Sequence, residues 1–463
     1  MLKRVTEGTV LFMSILKWVV LATIVGVIVG LSTTLFLNWL NWSIEQCNHY
    51  SYYFLLLPVA FFLSALMVKY LAPDAEGHGT EKVIEAIHKH SGRIKAVVVP
   101  VKLAATIVTL AFGGSAGKEG PCAQIGGGLS SIFADLLRFN DSDRKKLVIC
   151  GISAGFASVF GTPIAGAIFG VEVLFVGSLM YDVLLPSFIA GITSYQISSS
   201  FGIRYFHHTI DFVPVFSESF FAKVVLAGIF FGVCSFLFVE ILTLGGKISK
   251  KLNIWMPFKA FIAGTVLMGL SLVFSKHFLG LGLNEIESYL KGGNIDWYAG
   301  VVKSVFTSIT LNFGGSGGIV TPIFFVGAAS GAVFAEIMGL DMATFAAIGL
   351  VSLVAGATNT PIAASIMAVE LFGPKVAPYA AVACVISFLM TGHRSVYPSQ
   401  VLAIRKSPSI EVEIGKEMED VKTKFKPGRR RFYITRGLRI IQKMRPHRKR
   451  KDDSHMHPTS EKK

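Results

Sequence analysis

GGSAGKEGP occupies residues 113–121, and GGSGGIVTP occupies residues 314–322. The first stretch agrees with the second at Gly113, Gly114, Ser115, Gly117 and Pro121. Farther on, GTPIAGAIFGVEV at 161–173 is answered by NTPIAASIMAVEL at 359–371. They agree at Thr162, Pro163, Ile164, Ala165, Ile168, Val171 and Glu172 of the first copy. The offsets are 201 and 198 residues, so order and spacing are both kept. One Gly-rich match says little. Two motifs recurring at almost one offset mark an internal duplication. The halves run over about residues 9–203 and 219–400, joined by the polar and aromatic loop RYFHHTIDFVPVFSES at 204–219.

Around these motifs the chain is apolar. Of 463 residues, 52% are hydrophobic and 16% charged, against about 25% charged in a soluble domain. Mean hydropathy is +0.58. Val19–Ile44, Gln46–Val68, Ser304–Ala335 and Met342–Val369 carry no Asp, Glu, Lys or Arg. Each exceeds the ~20 residues that cross a bilayer as helix. These properties exclude a soluble enzyme, a disordered chain and a collagen, and the ten-residue alternation of a membrane β-barrel is absent. An all-α polytopic membrane protein remains. Its first apolar run is too long for a signal-peptide core and reads as a retained helix.

The Gly-rich motifs interrupt apolar runs. Gly113–Gly120 separates Val97–Phe112 from Pro121–Leu137, and Gly314–Thr321 precedes Pro322–Met338. Gly, Ser and then Pro punctuate a helix start. Irregular backbone at membrane depth is tolerated only inside protein or beside a water-filled cavity. Two discontinuous helices in corresponding positions, in halves expected to be inverted, therefore point at one site near the midplane. Helix N-termini offer unpaired N–H groups and the positive end of the macrodipole, which suits an anion and lets it leave again. Glu119 is the one acid in these motifs. Ionised, it competes for the same amides; protonated, it admits the anion. It is the expected gate.

The net charge of +15 is concentrated. Lys422–Lys451 holds fourteen Lys or Arg and no acid. Such a tail reads as a cytoplasmic anchor for anionic headgroups rather than a nucleic-acid binder. The five cysteines (Cys47, Cys122, Cys150, Cys234 and Cys384) show no ligand or disulfide spacing.

GKEGP at 117–121, GGIVTP at 317–322, HRSVYPSQ at 393–400, FLGLGLNEIE at 278–287 and VKLAATIVTL at 101–110 resemble, in order, segments of the CLC chloride channels and transporters. The resemblance covers about residues 20–405. It implies the CLC fold: two inverted repeats with discontinuous tilted helices in a transmembrane domain over 1–405, then a basic cytoplasmic tail over 406–463, partly disordered and too short for CBS domains. It also implies a homodimer in the plasma membrane. The transported ligand would be chloride, with no cofactor and no metal.

Residue by residue, the resemblance makes Glu119 the external gate. The amides of Ile319 and Val320 and the hydroxyl of Tyr397 would face the central anion. Gly79 and Gly120 belong to the same anion-binding motifs. His78, in GHG at 77–79, stands where the family has serine, and Thr80-Glu81 stands where it has Ile-Pro. Lys102 and Lys118 would raise the positive potential. Thr321 replaces a small apolar residue. Family antiporters carry a relay glutamate where this chain has Val173, which implies weak or absent proton coupling. Glu172 is then either a relay or, with its repeat copy Glu370, a structural group satisfying neighbouring helix ends. Fluoride-exporting members are the alternative, although they carry a polar or acidic residue where Ile319 stands. A chloride/proton antiporter is the other. An intramembrane enzyme lacks any HExxH-type spacing, and His207-His208 offers at most a weak external metal site.

Overall fold

The structure, a computed structural model, describes residues 2–210 and 217–425. Sixteen α-helices span this range, and the eight of the first half recur in order as eight of the second. Five helices are long and apolar enough to cross a membrane: Thr6–Asn48, Tyr53–Leu71, Glu218–Lys251, Met256–Val273 and Val320–Met338. The first belongs to a helix of 47 residues, about 70 Å long at 1.5 Å per residue. That is more than twice the hydrocarbon thickness of about 30 Å, so it must tilt or run on past the lipid. Other apolar helices, such as Pro163–Glu172 and Pro361–Phe372, have 10 and 12 residues. They are too short to cross alone, so their ends lie within the protein.

Local chemistry is duplicated with the helices. Helix Asp141–Phe160 starts where the Asn140 side chain accepts from the Asp143 N–H at 2.8 Å, and helix Met342–Thr358 where Asp341 accepts from Thr344 at 2.8 Å. These N-caps satisfy amides that would otherwise be orphaned. Both helices end in the left-handed region, at Gly161 (φ 72°) and Asn359 (φ 59°). A non-glycine residue is held there because its amide donates to Arg394 O at 2.9 Å and Gln400 Oε1 at 3.1 Å. Leu16, Leu63, Leu237, Val266 and Leu389 are exposed. In lipid this is the low-energy arrangement, while Ser and Thr side chains bond inside.

The expected all-helical architecture carries a small addition. Val401–Leu402 pairs in parallel with Phe175–Val176, and Ile410–Glu411 pairs antiparallel with Lys424–Phe425. Past Gln400 the apolar helix pattern stops, and the chain satisfies its backbone on the segment that follows helix Pro163–Glu172. Met418 packs with Val176 and Leu402. Lys406 reaches back to Asn359 Oδ1 at 2.6 Å and Phe388 O at 2.7 Å. Residues 406–425 thus lie against the membrane domain. The basic run from Lys426 onward, and the part of the connecting loop at 211–216, are outside the described residues.

Candidate anion-binding site

The two broken helices, Glu119–Leu136 and Val320–Met338, meet at their N-termini. Gly117 N–H donates to Gly318 O at 2.7 Å and Gly318 N–H to Gly117 O at 2.5 Å. The chain runs in opposite directions across this bridge, as inverted halves require. Only glycine fits. A Cβ on Gly117 would strike Glu119 Oε2, and one on Gly318 would lie 2.7 Å from Gly120 N. Neither helix is capped by its own side chain, so the amides of both first turns are left for another acceptor.

Hydroxyls brace the breaks in reciprocal pairs. Ser115 N–H donates to Thr310 Oγ1 and Ser316 N–H to Thr109 Oγ1, both at 3.0 Å. Ser115 and Thr307 hydroxyls lie 3.3 Å apart, and those of Ser316 and Thr106 lie 3.1 Å apart. Two buried lysines do the same for the flanking loops. Lys102 Nζ donates to Ala75 O at 3.1 Å and Gly77 O at 2.6 Å. Lys303 Nζ donates to Phe278 O at 3.1 Å and Gly280 O at 2.8 Å. VKLAATIVTL at 101–110 and VKSVFTSITL at 302–311 agree at Val101, Lys102, Thr106, Thr109 and Leu110 at an offset of 201. That third repeat match is the signal in the sequence that points to Lys303 and the threonines.

Glu119 is fully buried at the first turn of its helix. Its carboxylate crosses the repeat boundary. Oε2 accepts from the Thr321 N–H at 3.2 Å, and Oε1 accepts from the Thr321 hydroxyl. The donors that Glu119 engages belong to Thr321, the residue after the Ile319 and Val320 amides expected to face the anion. Ile319 is the N-cap, its side chain lining a cavity of about 650 Å³, and Val320 is the first helical residue.

His78 and Gly79 pack directly on the same helix start. Gly79 has φ 77°, and a Cβ there would lie 2.5 Å from Gly120 O. A Cβ on Gly120 would collide with His78 O. The His78 ring faces Tyr397, with centroids 5.5 Å apart. Tyr397 Oη, Thr80 Oγ1 and His78 Nδ1 are buried without a well-formed hydrogen bond, although buried polar atoms are normally paired. Glu119, Thr321, Gly79, Gly120, His78 and Tyr397 thus gather at one place. Lys102 is held one step away, on the carbonyls that precede His78, and Lys118 is half-buried at the N-cap of the Glu119 helix.

Glu172 lies apart from this cluster. Its carboxylate accepts from Ile362 N–H at 3.1 Å and Ala363 N–H at 2.8 Å. Glu370 accepts from Ile164 N–H at 3.0 Å and Ala165 N–H at 2.8 Å. Each acid caps the short helix of the opposite half. Val173 is buried, and its carbonyl accepts from Gln400 Nε2 at 2.8 Å. His207 Nδ1 lies 3.2 Å from Glu370 O, and no cluster of three or more metal-binding side chains occurs among the described residues.

Two opposed helix starts with a buried carboxylate at their junction invite comparison with known anion transporters. Residues 60–392 match the family described as voltage gated chloride channel. The chain belongs to the CLC family. It is 37% identical over 395 residues to a chloride/fluoride channel protein of Pseudomonas syringae pv. tomato, covering 83% of this chain and 86% of that relative. It is 26% identical to an H+/Cl− exchange transporter of Klebsiella pneumoniae, over 76% of this chain and 80% of that one. Among solved structures, a CLC-type fluoride/proton antiporter superposes with a TM-score of 0.81 at 27% identity, covering 84% of this chain and 99% of that chain. The protein is accordingly an integral membrane anion channel or transporter with the inverted-repeat fold of its family.

Proposed function

We propose that this CLC protein exports fluoride in exchange for protons, with Glu119 and the anion alternating on one set of donors. The observation that carries the reading is the double contact of the Glu119 carboxylate with the N–H and hydroxyl of Thr321. Fluoride is small and strongly hydrated, so a site must replace its water with short bonds from hard donors. Hydroxyl and amide donors to an anion are such bonds, and a carboxylate oxygen makes the same demand. When Glu119 is protonated it stops competing, and the donors pass to the anion. Proton binding and anion binding then favour each other, as linkage requires. Val173 supplies no titrating group, so coupling in this reading resides in the alternation itself. The superposed structure is that of a fluoride/proton antiporter, and the name of the Pseudomonas relative carries fluoride beside chloride.

A chloride reading is favoured by the apolar Ile319 at the cavity wall and by the chloride in the names of the Pseudomonas and Klebsiella relatives. The test is flux from proteoliposomes loaded with fluoride or chloride, with ion-selective electrodes and a proton-sensitive dye. Fluoride efflux faster than chloride efflux, with protons driven inward, supports the proposal. Chloride-selective efflux without proton movement overturns it. The same reading includes a homodimer with one pathway per subunit, the plasma membrane as location, residues 406–463 on the cytoplasmic side, no resident cofactor and no enzymatic role.

A further inference from the structure

Helix Thr80–Lys89 begins beside the anion site and is not one of the apolar spans. Its second residue is Glu81. Oε1 of Glu81 accepts from the Ser399 N–H at 2.9 Å and the Ser399 hydroxyl at 2.5 Å. Oε2 is buried and has no hydrogen bond. The cavity of about 650 Å³ lined by Ile319 and His78 is also lined by Glu81, Met418 and Glu419. At the site beyond it stands the buried acid Glu119.

We propose that Glu81 is the proton-exchanging group on the tail side of the anion site, passing protons between the cavity and Glu119. The inference rests on the proton-coupled reading given above. An acid in this role needs water on one side, an unengaged oxygen, and a route to the gate, and Glu81 has these. Tyr397 is within electrostatic reach of both Glu81 and Glu119. The Tyr397 hydroxyl is within hydrogen-bonding reach of Thr80, the residue before Glu81, and the His78 ring packs against Tyr397. In the transfer, the O–H bond on Glu119 breaks as one forms on Glu81 Oε2, each hydroxyl on the way accepting one proton and giving one up. Glu81 then releases its proton to cavity water, and Glu119, ionised again, returns to Thr321.

The electrostatics suit a group that titrates in the physiological range. Burial pushes the Glu81 carboxyl up to about 7, held back by the two bonds from Ser399; Glu85 raises it and Lys82 lowers it. Lys82 and Glu85 are paired with each other at 3.0 Å. Glu76 and His78 face it from the preceding segment. Across the cavity, Arg394 is paired with Glu240 at 2.6 Å and Lys250 with Glu419 at 3.8 Å. Lys247, Lys259 and His393 complete that wall. Among the described residues no base forms an ion pair with Glu81, so its proton is not locked out by a fixed partner.

The test is Glu81→Gln in proteoliposomes, with anion and proton fluxes recorded together. The amide keeps the Ser399 bond and the shape but cannot carry a proton. Proton flux should fall at least tenfold while anion flux down its gradient persists, which also reports an intact fold. Glu81→Asp should restore part of the proton flux. Full coupling in Glu81→Gln overturns the inference and leaves the proton-coupled reading standing. An equal loss of both fluxes overturns it too, and makes Glu81 a positioning residue for Ser399 and Tyr397. Absence of proton movement in the unaltered protein removes the reading itself, and the inference with it.

Discussion

The two broken helices are built alike up to the point where they meet, and then differ. Ser115 and Ser316, Thr310 and Thr109, and Lys102 and Lys303 make the same bonds in each half. Glu172 and Glu370 cap each other's half in the same way. Across the junction, Gly117-Lys118-Glu119-Gly120 faces Gly318-Ile319-Val320-Thr321. Only the glycines of the bridge match. The first half offers a carboxylate with a base beside it, and the second offers a hydroxyl among apolar neighbours. Duplicated residues hold the junction; the differing ones are those that the proposed exchange uses. A symmetric pair of helix starts could bind an anion, but only the unequal pair can exchange it for a carboxylate.

This contrast can be broken by mutating both members of each duplicated pair. Lys102→Met and Lys303→Met each strand two buried carbonyls, at about 1–3 kcal/mol per unsatisfied group. Both should lower thermal stability in detergent to a similar degree, by about 3 kcal/mol. A loss confined to Lys102→Met, seen as weaker anion binding in an intact protein, would instead give Lys102 the electrostatic role that the family resemblance implies.

Thr321→Val has no counterpart in the first half. It removes a hydroxyl that donates to a charged acceptor, a bond worth about 1.5–3 kcal/mol. Anion affinity measured by calorimetry should fall about ten- to a hundredfold, with the fold intact. Unchanged affinity would return the site to the Ile319 and Val320 amides.

Glu172→Gln and Glu370→Gln convert charge-assisted caps to neutral ones, at a cost of about 1 kcal/mol each. Their effects should match, and proton flux per anion should stay as in the parent. If Glu172→Gln alone loses proton flux, Glu172 is a relay and the symmetric account of it is wrong.

Much of this was legible in the sequence because the repeat is written in Gly, Ser and Pro, residues whose backbone demands are local. The breaks at 113–121 and 314–322, and with them the place of Glu119 at a helix start, followed from such demands, while the helix-capping alternative for Glu172 followed from its repeat copy Glu370. Thr321 was harder to read. Its hydroxyl matters only because an acid 202 residues earlier lies against it, and no local pattern announces that meeting. Glu81 was visible only as a departure from a familiar motif. Its carboxylate is held by Ser399, 318 residues farther along the chain. Lys303 failed to stand out for a simpler reason: a lone lysine in an apolar run reads as a residue reaching for water, until its carbonyl partners are known.

The most direct measurement records anion and proton movement together in proteoliposomes of Glu119→Gln across a range of pH. A glutamine has the shape of the protonated acid and cannot reclaim the Thr321 donors as an anion. Anion flux should persist or rise, lose its pH dependence, and no longer drive protons uphill. A variant that keeps the parent's pH response and its proton movement would show that Glu119 and the anion do not share those donors.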